Sequence, residues 1–529
     1  MKKTKLLAVL LAGVMASSML ATGCTTSGSD SDNGGNSNTG SGQDEGPVVE
    51  LSYYMMNSAV NDQDRIMEKA NAIIEEKINA KLDLKMIDSS QYASKINMMI
   101  AGGEDWDLCF MADWGGMDYY GNAKDGAFAD LTDKLPEIAP VSYSKVPEGI
   151  WNNMKVDGKI YGIFNYQQYG YAARKGFVVQ SELADKYGFD WKSLKDKDAI
   201  TVLNAFTPFF EKVHADNPDL ICWETSSTYN LFVNDPLYWD MENVGDGSVP
   251  GWISYDDPTK VINQYETEEF KQYCEILRDW YNKGFVRKDG ATLADVNPDR
   301  KAGKIVAQWN YSWPDCIDLP ELINPDVTAM SMSDPKVGAY SFSTTRTVLP
   351  SGVNAATCIN ADCPNIDKAL ELAELLNSDD ELFNLISLGE EGVDYKYNED
   401  GNYEIIQGKY MFNYNEWQLG QSYDEDFSRS TFGKNELGEI QKESWKQVYE
   451  AEKTCEASPL SGFVFDPDPV KTEISAVSAI VTEMVPALAS GSVDPAEKLP
   501  EFLERIKSAG ADKIIEEKQK QLDEFNASK

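Results

Sequence analysis

Several short stretches of this chain place aromatic rings beside planar polar side chains, among them ADWGGMDYY, FNYQQYGY and AQWNYSWPDC. Such mixtures suit sugars, because their apolar C–H faces pack on aromatic rings while carboxylates and amides bond to their hydroxyls. These stretches therefore contain the residue types that a carbohydrate site would need. The candidate ligand-binding residues are Asp113, Trp114, Tyr166, Gln167, Tyr169, Trp239, Trp309, Trp313, Asp315 and Trp417.

In ADWGGMDYY and AQWNYSWPDC, a stacking role and a hydrogen-bonding role can be assigned to separate residues. Trp114 would be a stacking platform and Asp113 an acceptor for sugar hydroxyls, although Trp114 would also suit packing beneath its own loop. Trp309 and Trp313 are four residues apart in a polar, proline-containing stretch, so either is a stacking candidate, with Asp315 as a polar companion.

The remaining candidates have strong structural alternatives. Tyr166, Gln167 and Tyr169 lie in FNYQQYGY, and if this stretch forms a strand its residues also need packing partners. Trp239 and Trp417 lie outside the stretches discussed above, and an isolated aromatic residue of that kind is more often part of a core.

The sequence lacks the usual motifs of catalysis and of metal binding. It has no GxSxG, P-loop, CxxC or HExxH motif, and His214 is its single histidine, so zinc chemistry is not expected. A glycosidase needs a pair of carboxylates, which 87 acidic residues leave open as an alternative. We assign no catalytic residue, metal ligand or cofactor.

The net charge of −39 argues against nucleic acid as a partner, because that interaction requires clustered Lys and Arg. Beyond Cys24 the chain has seven scattered cysteines, and this odd number does not suggest a disulfide framework. Free buried thiols are expected, with a Cys358–Cys363 pair left open.

The N-terminus has the layout of a secretory signal. Lys2, Lys3 and Lys5 precede an apolar stretch over residues 6–20, and small residues then lead to Cys24. A cysteine at this point resembles the lipidation site of bacterial lipoproteins. We predict a signal peptide over 1–23, lipidation at Cys24 and a flexible polar tether over 24–46. No later segment is expected to span a membrane.

The elements after residue 46 alternate between strand and helix. VVELSYYMM predicts a strand, DQDRIMEKANAIIEEKINA a helix, KLDLKMID a strand, SQYASKINMMIAGGE a helix and WDLCFMAD a strand. This order predicts an α/β fold with a parallel, doubly wound sheet. Ligands bind beyond the carboxyl ends of the strands in such sheets, which is where Asp113 lies.

Longer segments carry a resemblance to one family. The segment from DLCFMADWGG to LPEIAP, the segment VDGKIYGIFNYQQYGYAARKGF and the C-terminal KSAGADKIIEEKQKQLDEF occur in the order seen in bacterial extracellular solute-binding proteins of family 1. The resemblance covers most of the chain. The ending is similar to that of an oligosaccharide-type subgroup with a dedicated C-terminal helical region.

The resemblance implies a two-lobed, periplasmic-binding-protein-like α/β fold, each lobe a sheet flanked by helices and joined to the other by hinge strands. The implied boundaries are lobe 1 over 47–165, lobe 2 over 166–338, a return to lobe 1 over 339–420, and a C-terminal helical region over 421–529 that packs mainly on lobe 2.

It also implies a monomeric carbohydrate-binding lipoprotein that serves the permease subunits of an ABC transporter. The expected location is the extracytoplasmic face of a Gram-positive cell membrane. Two alternatives remain at this point: a surface glycosidase or glycan-processing lipoprotein, and a binder of peptides or other non-sugar solutes on the same fold.

Overall fold

The structure is a computed structural model of the chain. It describes residues 46–113, 116–166, 175–228, 230–245, 247–311, 339–343, 348–349, 351–412, 418–422, 426–429, 432–453 and 455–529. The described chain from Pro47 to Lys529 forms one unit with separate large hydrophobic cores.

Seventeen α-helices occur in this part of the chain. They are α1 (Gln63–Ile78), α2 (Ser89–Gly102), α3 (Tyr119–Lys124), α4 (Leu135–Ile138), α5 (Pro140–Lys145), α6 (Glu148–Asn153), α7 (Ser181–Tyr187), α8 (Ala199–Asp216), α9 (Leu231–Asn234), α10 (Glu268–Lys283), α11 (Asn297–Lys301), α12 (Ile366–Ser378), α13 (Asp380–Leu388), α14 (Glu436–Glu452), α15 (Lys471–Ala489), α16 (Pro495–Ala509) and α17 (Ala511–Ser528).

Eighteen strands accompany them. They are β1 (Val49–Met56), β2 (Ala80–Ile87), β3 (Leu108–Met111), β4 (Lys155–Val156), β5 (Lys159–Ile160), β6 (Ile163–Phe164), β7 (Lys175–Gln180), β8 (Ile221–Trp223), β9 (Met241–Asn243), β10 (Trp252–Ser254), β11 (Asp257–Ile262), β12 (Ile305–Tyr311), β13 (Ala339–Ser343), β14 (Val348–Leu349), β15 (Ala356–Ile359), β16 (Tyr395–Tyr397), β17 (Tyr403–Ile405) and β18 (Glu456–Ala457).

The first lobe is built on a five-stranded sheet with the order β2-β1-β3-β15-β6. β1 pairs in parallel with both β2 and β3, which confirms the predicted doubly wound start of the chain. Leu51, Tyr53 and Met55 alternate along β1 and are buried, as expected of a strand covered by helices. α1 buries Ile66, Ala70 and Ile74 on one face, at the spacing that predicted it.

The second lobe is built on a four-stranded sheet with the order β13-β7-β12-β8. Its core is rich in aromatic residues: Phe206 stacks on Phe210, and Trp280 packs edge-on to Phe210. A separate three-stranded sheet, β11-β10-β9, adjoins α17, where Val261 N–H donates to Gln519 Oε1 at 2.7 Å.

Two lobe assignments require correction. β13 pairs with β7 from Ala339 to Ser343, so the return to the first lobe starts after residue 343 rather than at 339. Trp445 and Tyr449 on α14 belong to the first core, so the expected C-terminal region over 421–529 divides between lobes. α14 is amphipathic, and its apolar face alone does not specify which core covers it.

The helices that follow do pack on the second lobe. Val477, Val485 and Leu488 of α15 and Phe502 of α16 are buried in the second core. The helical stretch Asp468–Ala489 is long and apolar enough to span a bilayer by length and composition, contrary to the expectation that no such segment follows residue 46. A 33% share of its most apolar window is buried in the protein.

Other local patterns in the sequence agree with the structure. Ala369, Leu370, Leu372, Ala373, Leu375 and Leu376 are all buried on α12. NEDGN forms the turn between the antiparallel strands β16 and β17. Cys358 and Cys363 are both free and buried, as are Cys109, Cys222 and Cys274.

Candidate functional site

The two large sheets present matching edges to the junction between the lobes. In the first sheet, Met111 at the end of β3 lies opposite Ala356 at the start of β15, which also pairs with Phe164 at the end of β6. In the second sheet, Gly176 at the start of β7 pairs with Ser343 at the end of β13. The chain crosses between the lobes from these edges, so residues just beyond them line the junction.

Asp113 lies just beyond the carboxyl end of β3, as predicted. Its carboxylate accepts a hydrogen bond from Val353 N–H at 2.9 Å, and its own N–H donates to Val353 O at 2.9 Å. Gly352 approaches so closely that a Cβ there would lie 2.2 Å from Asp113 Oδ2. This carboxylate is thus fixed by the segment that precedes β15.

Asp113 is exposed to solvent, yet desolvation by the surrounding protein raises the pKa of its carboxyl to about 6. The hydrogen bond from Val353 acts in the opposite direction, and the nearby charge of Asp118 adds to the rise. Exposure together with desolvation is what a carboxylate experiences in a concave wall, where solvent reaches it from one side only. This geometry suits an acceptor for ligand hydroxyls.

Trp309 lies at the corresponding edge of the second sheet, near the end of β12. It is only 5% exposed and packs edge-on against Tyr238 with 6.0 Å between ring centroids. Tyr238 in turn accepts a hydrogen bond from Gly176 N–H at 2.9 Å and donates to Gly176 O. Trp309 therefore has a fixed orientation at the end of the strand, and its indole is mostly covered by the second core.

Polar residues at the end of β8 lie beside Trp309. β8 and β12 are parallel, with Trp223 opposite Ala307, so Glu224 and Thr225 emerge at the edge where β12 ends. Glu224 is 8% exposed and forms a two-bond ion pair with Arg300, at 2.6 and 2.5 Å. The Thr225 hydroxyl is buried against Gly290 and has no hydrogen-bond partner in the described part of the chain.

The other candidates divide into two groups. Tyr166 is 4% exposed in the first core, with its ring 6.0 Å from that of Tyr449, and Trp239 is 6% exposed in the second core beside Phe232. Six further candidates and the lipidation site lie outside the described residues: Trp114, Gln167, Tyr169, Trp313, Asp315, Trp417 and Cys24.

Sequence reasoning missed Glu224 and Thr225. They directly follow the apolar residues of LICW, and this is the pattern of a buried parallel strand that ends in polar residues. The same rule identified Asp113 after β3. No group of three or more His, Cys, Asp and Glu side chains suited to a metal ion occurs in the described ranges.

Comparison with known structures shows the class of fold. The N-glycan transport solute binding protein NgtS of Streptococcus pneumoniae superposes with a TM-score of 0.74 at 24% identity, covering 90% of this chain and 99% of that one. Its complex with Man1GlcNAc gives a TM-score of 0.68 at the same identity and coverage. The fold is that of the two-lobed solute-binding proteins, as predicted.

Sequence comparisons agree with this class. A carbohydrate ABC transporter substrate-binding protein of Streptococcus pneumoniae serotype 4 is 27% identical over 500 residues, which are 94% of each chain. The model of a domain of unknown function, DUF3502, matches residues 459–527, within the C-terminal helical region. The resemblance to extracellular solute-binding proteins is therefore confirmed along nearly the whole length.

Proposed function

We propose that this protein is the substrate-binding component of an ABC importer and that it holds a carbohydrate between its two lobes. The observation that carries the proposal is the match over 94% of both chains to a carbohydrate ABC transporter substrate-binding protein. A ligand that touches both lobes stabilises the closed arrangement by its differential affinity for it. The ligand is released unchanged to the permease subunits, and no covalent step is required.

The proposed cargo is an oligosaccharide, with N-glycan fragments as the first candidates. This choice is supported by the likeness to NgtS, which was solved in complexes with Man1GlcNAc and Man5GlcNAc. Within this chain, Asp113 on the first lobe and Trp309 on the second provide a carboxylate and an indole edge at the two strand edges. These are the groups that bind sugar hydroxyls and C–H faces.

The test is a thermal-shift screen of residues 24–529 with Cys24→Ala against oligosaccharides, peptides and free amino acids. The proposal predicts an upward shift with oligosaccharides alone, because a ligand that binds only the folded state stabilises it. Chromatography of each sugar after incubation should return it unchanged. A shift with peptides alone contradicts the carbohydrate assignment, and cleavage of the sugar indicates a glycosidase.

We also propose that the chain is exported and anchored by a lipid on Cys24, at the outer face of the membrane of a Gram-positive cell. The support is the signal-like layout of residues 1–23 and the polar tether over 24–46. Metabolic labelling with a palmitate analogue should mark the wild-type chain, and Cys24→Ala should abolish the label and release the protein into the medium. A labelled Cys24→Ala variant would contradict the anchor site.

A further inference from the structure

Two of the segments that cross between the lobes pair with each other. β14 lies between β13 of the second sheet and β15 of the first. β18 lies between α14, which contributes to the first core, and α15, which contributes to the second. These strands are parallel, with Val348 opposite Glu456 and Leu349 opposite Ala457. These two crossing segments therefore run side by side where β14 pairs with β18.

One carboxylate of the second lobe forms hydrogen bonds with both crossing segments. Glu242 on β9 is 5% exposed. Its Oε1 accepts hydrogen bonds from Ser351 N–H at 3.1 Å and from the Ser351 hydroxyl. Its Oε2 accepts from the Ser458 hydroxyl and, at 2.8 Å, from the Tyr255 hydroxyl. Ser351 follows β14 and Ser458 follows β18, so Glu242 bonds to each crossing segment directly after the paired strands.

The first lobe holds the same two segments a few residues further on. Val353 N–H donates to Asp113 Oδ2 at 2.9 Å, two residues after Ser351. The Ser461 hydroxyl donates to Asn153 Oδ1 on α6, three residues after Ser458. Within these two crossing segments, the stretches between a contact with one lobe and a contact with the other are only residues 351–353 and 458–461. Gly352, with φ +103°, lies within the first of these short spans.

We propose that Glu242 is a positioning residue that fixes the pivot for lobe closure and thereby sets the balance between open and closed states. The inference rests on the proposed function, since it concerns how a ligand-binding clamp closes. The apparent affinity for a ligand that binds the closed state is reduced by the fraction of molecules that are not competent to bind. Loss of the Glu242 contacts removes the hydrogen bonds that hold both segments to the second lobe and leaves the burial of Leu460 beside Ile253 as a remaining attachment. This loss broadens the range of lobe separations and weakens binding.

The chain provides matched variants. Glu242→Ala removes all four contacts and Ser458→Ala removes one contact to a crossing segment. Tyr255→Phe removes a bond to the same carboxylate oxygen from within the second lobe, so it is the control. Glu242→Gln retains an oxygen for Ser351 and an amide that can donate to the Ser458 and Tyr255 hydroxyls, so it should behave as the parent protein does.

The measurement is the distance distribution between spin labels on the two lobes, without ligand and with a saturating oligosaccharide from the screen above. Labels at Glu76→Cys on α1 and Lys260→Cys on β11 occupy exposed positions. Cys24, Cys316 and Cys455 are replaced by Ser in the parent to prevent labelling elsewhere. The ligand-free distribution reports on the pivot whether or not the oligosaccharide binds, so failure of the proposed function is distinguishable from failure of this inference.

We expect Glu242→Ala to broaden or shift the ligand-free distribution and to weaken oligosaccharide binding by about tenfold. Ser458→Ala should change the distance distribution and the affinity in the same direction but by less. If Glu242→Ala does not fold, Ser458→Ala provides the test instead. Unchanged distributions in Ser458→Ala and Glu242→Ala, or an equal change in Tyr255→Phe, would overturn the proposal.

Discussion

Asp113 and Glu242 bond to the same three-residue segment from opposite lobes. Asp113 Oδ2 accepts from Val353 N–H at 2.9 Å, and Glu242 Oε1 accepts from Ser351 N–H at 3.1 Å. A candidate ligand-binding carboxylate is thus two residues away from the contact that fixes the crossing segment to the second lobe. Ligand contact with Asp113 and movement of the lobes are expected to be coupled through this segment.

The residue between these two contacts should tolerate only glycine. Gly352 has φ +103°, and a Cβ would lie 2.2 Å from Asp113 Oδ2. We expect Gly352→Ala to lower the free energy of unfolding by about 1–3 kcal/mol and to displace the Asp113 carboxylate. Gly103→Ala is the control, because φ is +61° there and nothing lies within 4 Å of the added carbon. If urea denaturation shows the same loss of unfolding free energy in Gly352→Ala and Gly103→Ala, the close approach of Gly352 to Asp113 is contradicted.

The Asp113 carboxyl should make both stability and binding depend on pH. Its pKa is raised from 3.8 to about 6 in the folded protein, so between these values the folded state binds more protons than the unfolded state. The contribution of Asp113 therefore favours folding at low pH and is lost as the pH rises through about 6. Asp113→Asn should remove this part of the pH dependence in thermal unfolding.

Ligand binding should show the opposite trend, because the ionised carboxylate is the better acceptor for sugar hydroxyls. We expect affinity to increase as the pH rises through about 6 in the wild type and to stay level in Asp113→Asn. Asp118 and Tyr120 lie close enough to interact electrostatically with this group, so Asp118→Asn is the control that should keep the trend. An unchanged pH profile in Asp113→Asn would exclude Asp113 from the site.

Trp309 should affect ligand binding more than its burial suggests. Trp309→Phe keeps an aromatic ring in the core but shortens the side chain at the edge of the sheet, and we expect affinity to fall about tenfold. Trp252→Phe is the matched control: Trp252 is wholly buried on β10, where it stacks on Phe232. The control should lose stability and retain affinity. If Trp309→Phe likewise changes only the unfolding temperature, Trp309 is a core residue that does not contact the ligand.

The ion pair between Glu224 and Arg300 should be costly to break from one side. The Glu224 side chain is 7% exposed and that of Arg300 18%, so Arg300→Met leaves a buried carboxylate without its partner. We expect a loss of about 3–5 kcal/mol in the free energy of unfolding. The double variant Glu224→Leu/Arg300→Met should recover most of this loss. A small loss of unfolding free energy in Arg300→Met, together with a larger loss in the double variant, would contradict this prediction.

The sequence predicted the features that local pattern determines. The alternation in β1, the helical spacing in α1 and the apolar face of α12 were each readable within a few residues, and the order of elements then indicated a parallel sheet. The strand-end rule likewise placed Asp113 correctly, beyond the carboxyl end of β3.

The contacts that the structure adds join residues far apart in sequence. Glu242 is 109 residues from Ser351 and 216 from Ser458, and no local pattern relates them. α14 shows the same limit, because its apolar face fits either core until the packing of Trp445 and Tyr449 is known. Burial of Trp309 depends likewise on Tyr238, which arrives from a different part of the lobe.

The most direct test of the central claim is calorimetric titration of residues 24–529, carrying Cys24→Ala, with Man5GlcNAc and, separately, with a peptide of similar mass. The account predicts saturable one-to-one binding of the glycan, heat that does not continue after saturation, and no binding of the peptide. Absence of glycan binding together with saturable peptide binding would contradict it, as would heat from continuing turnover of the glycan.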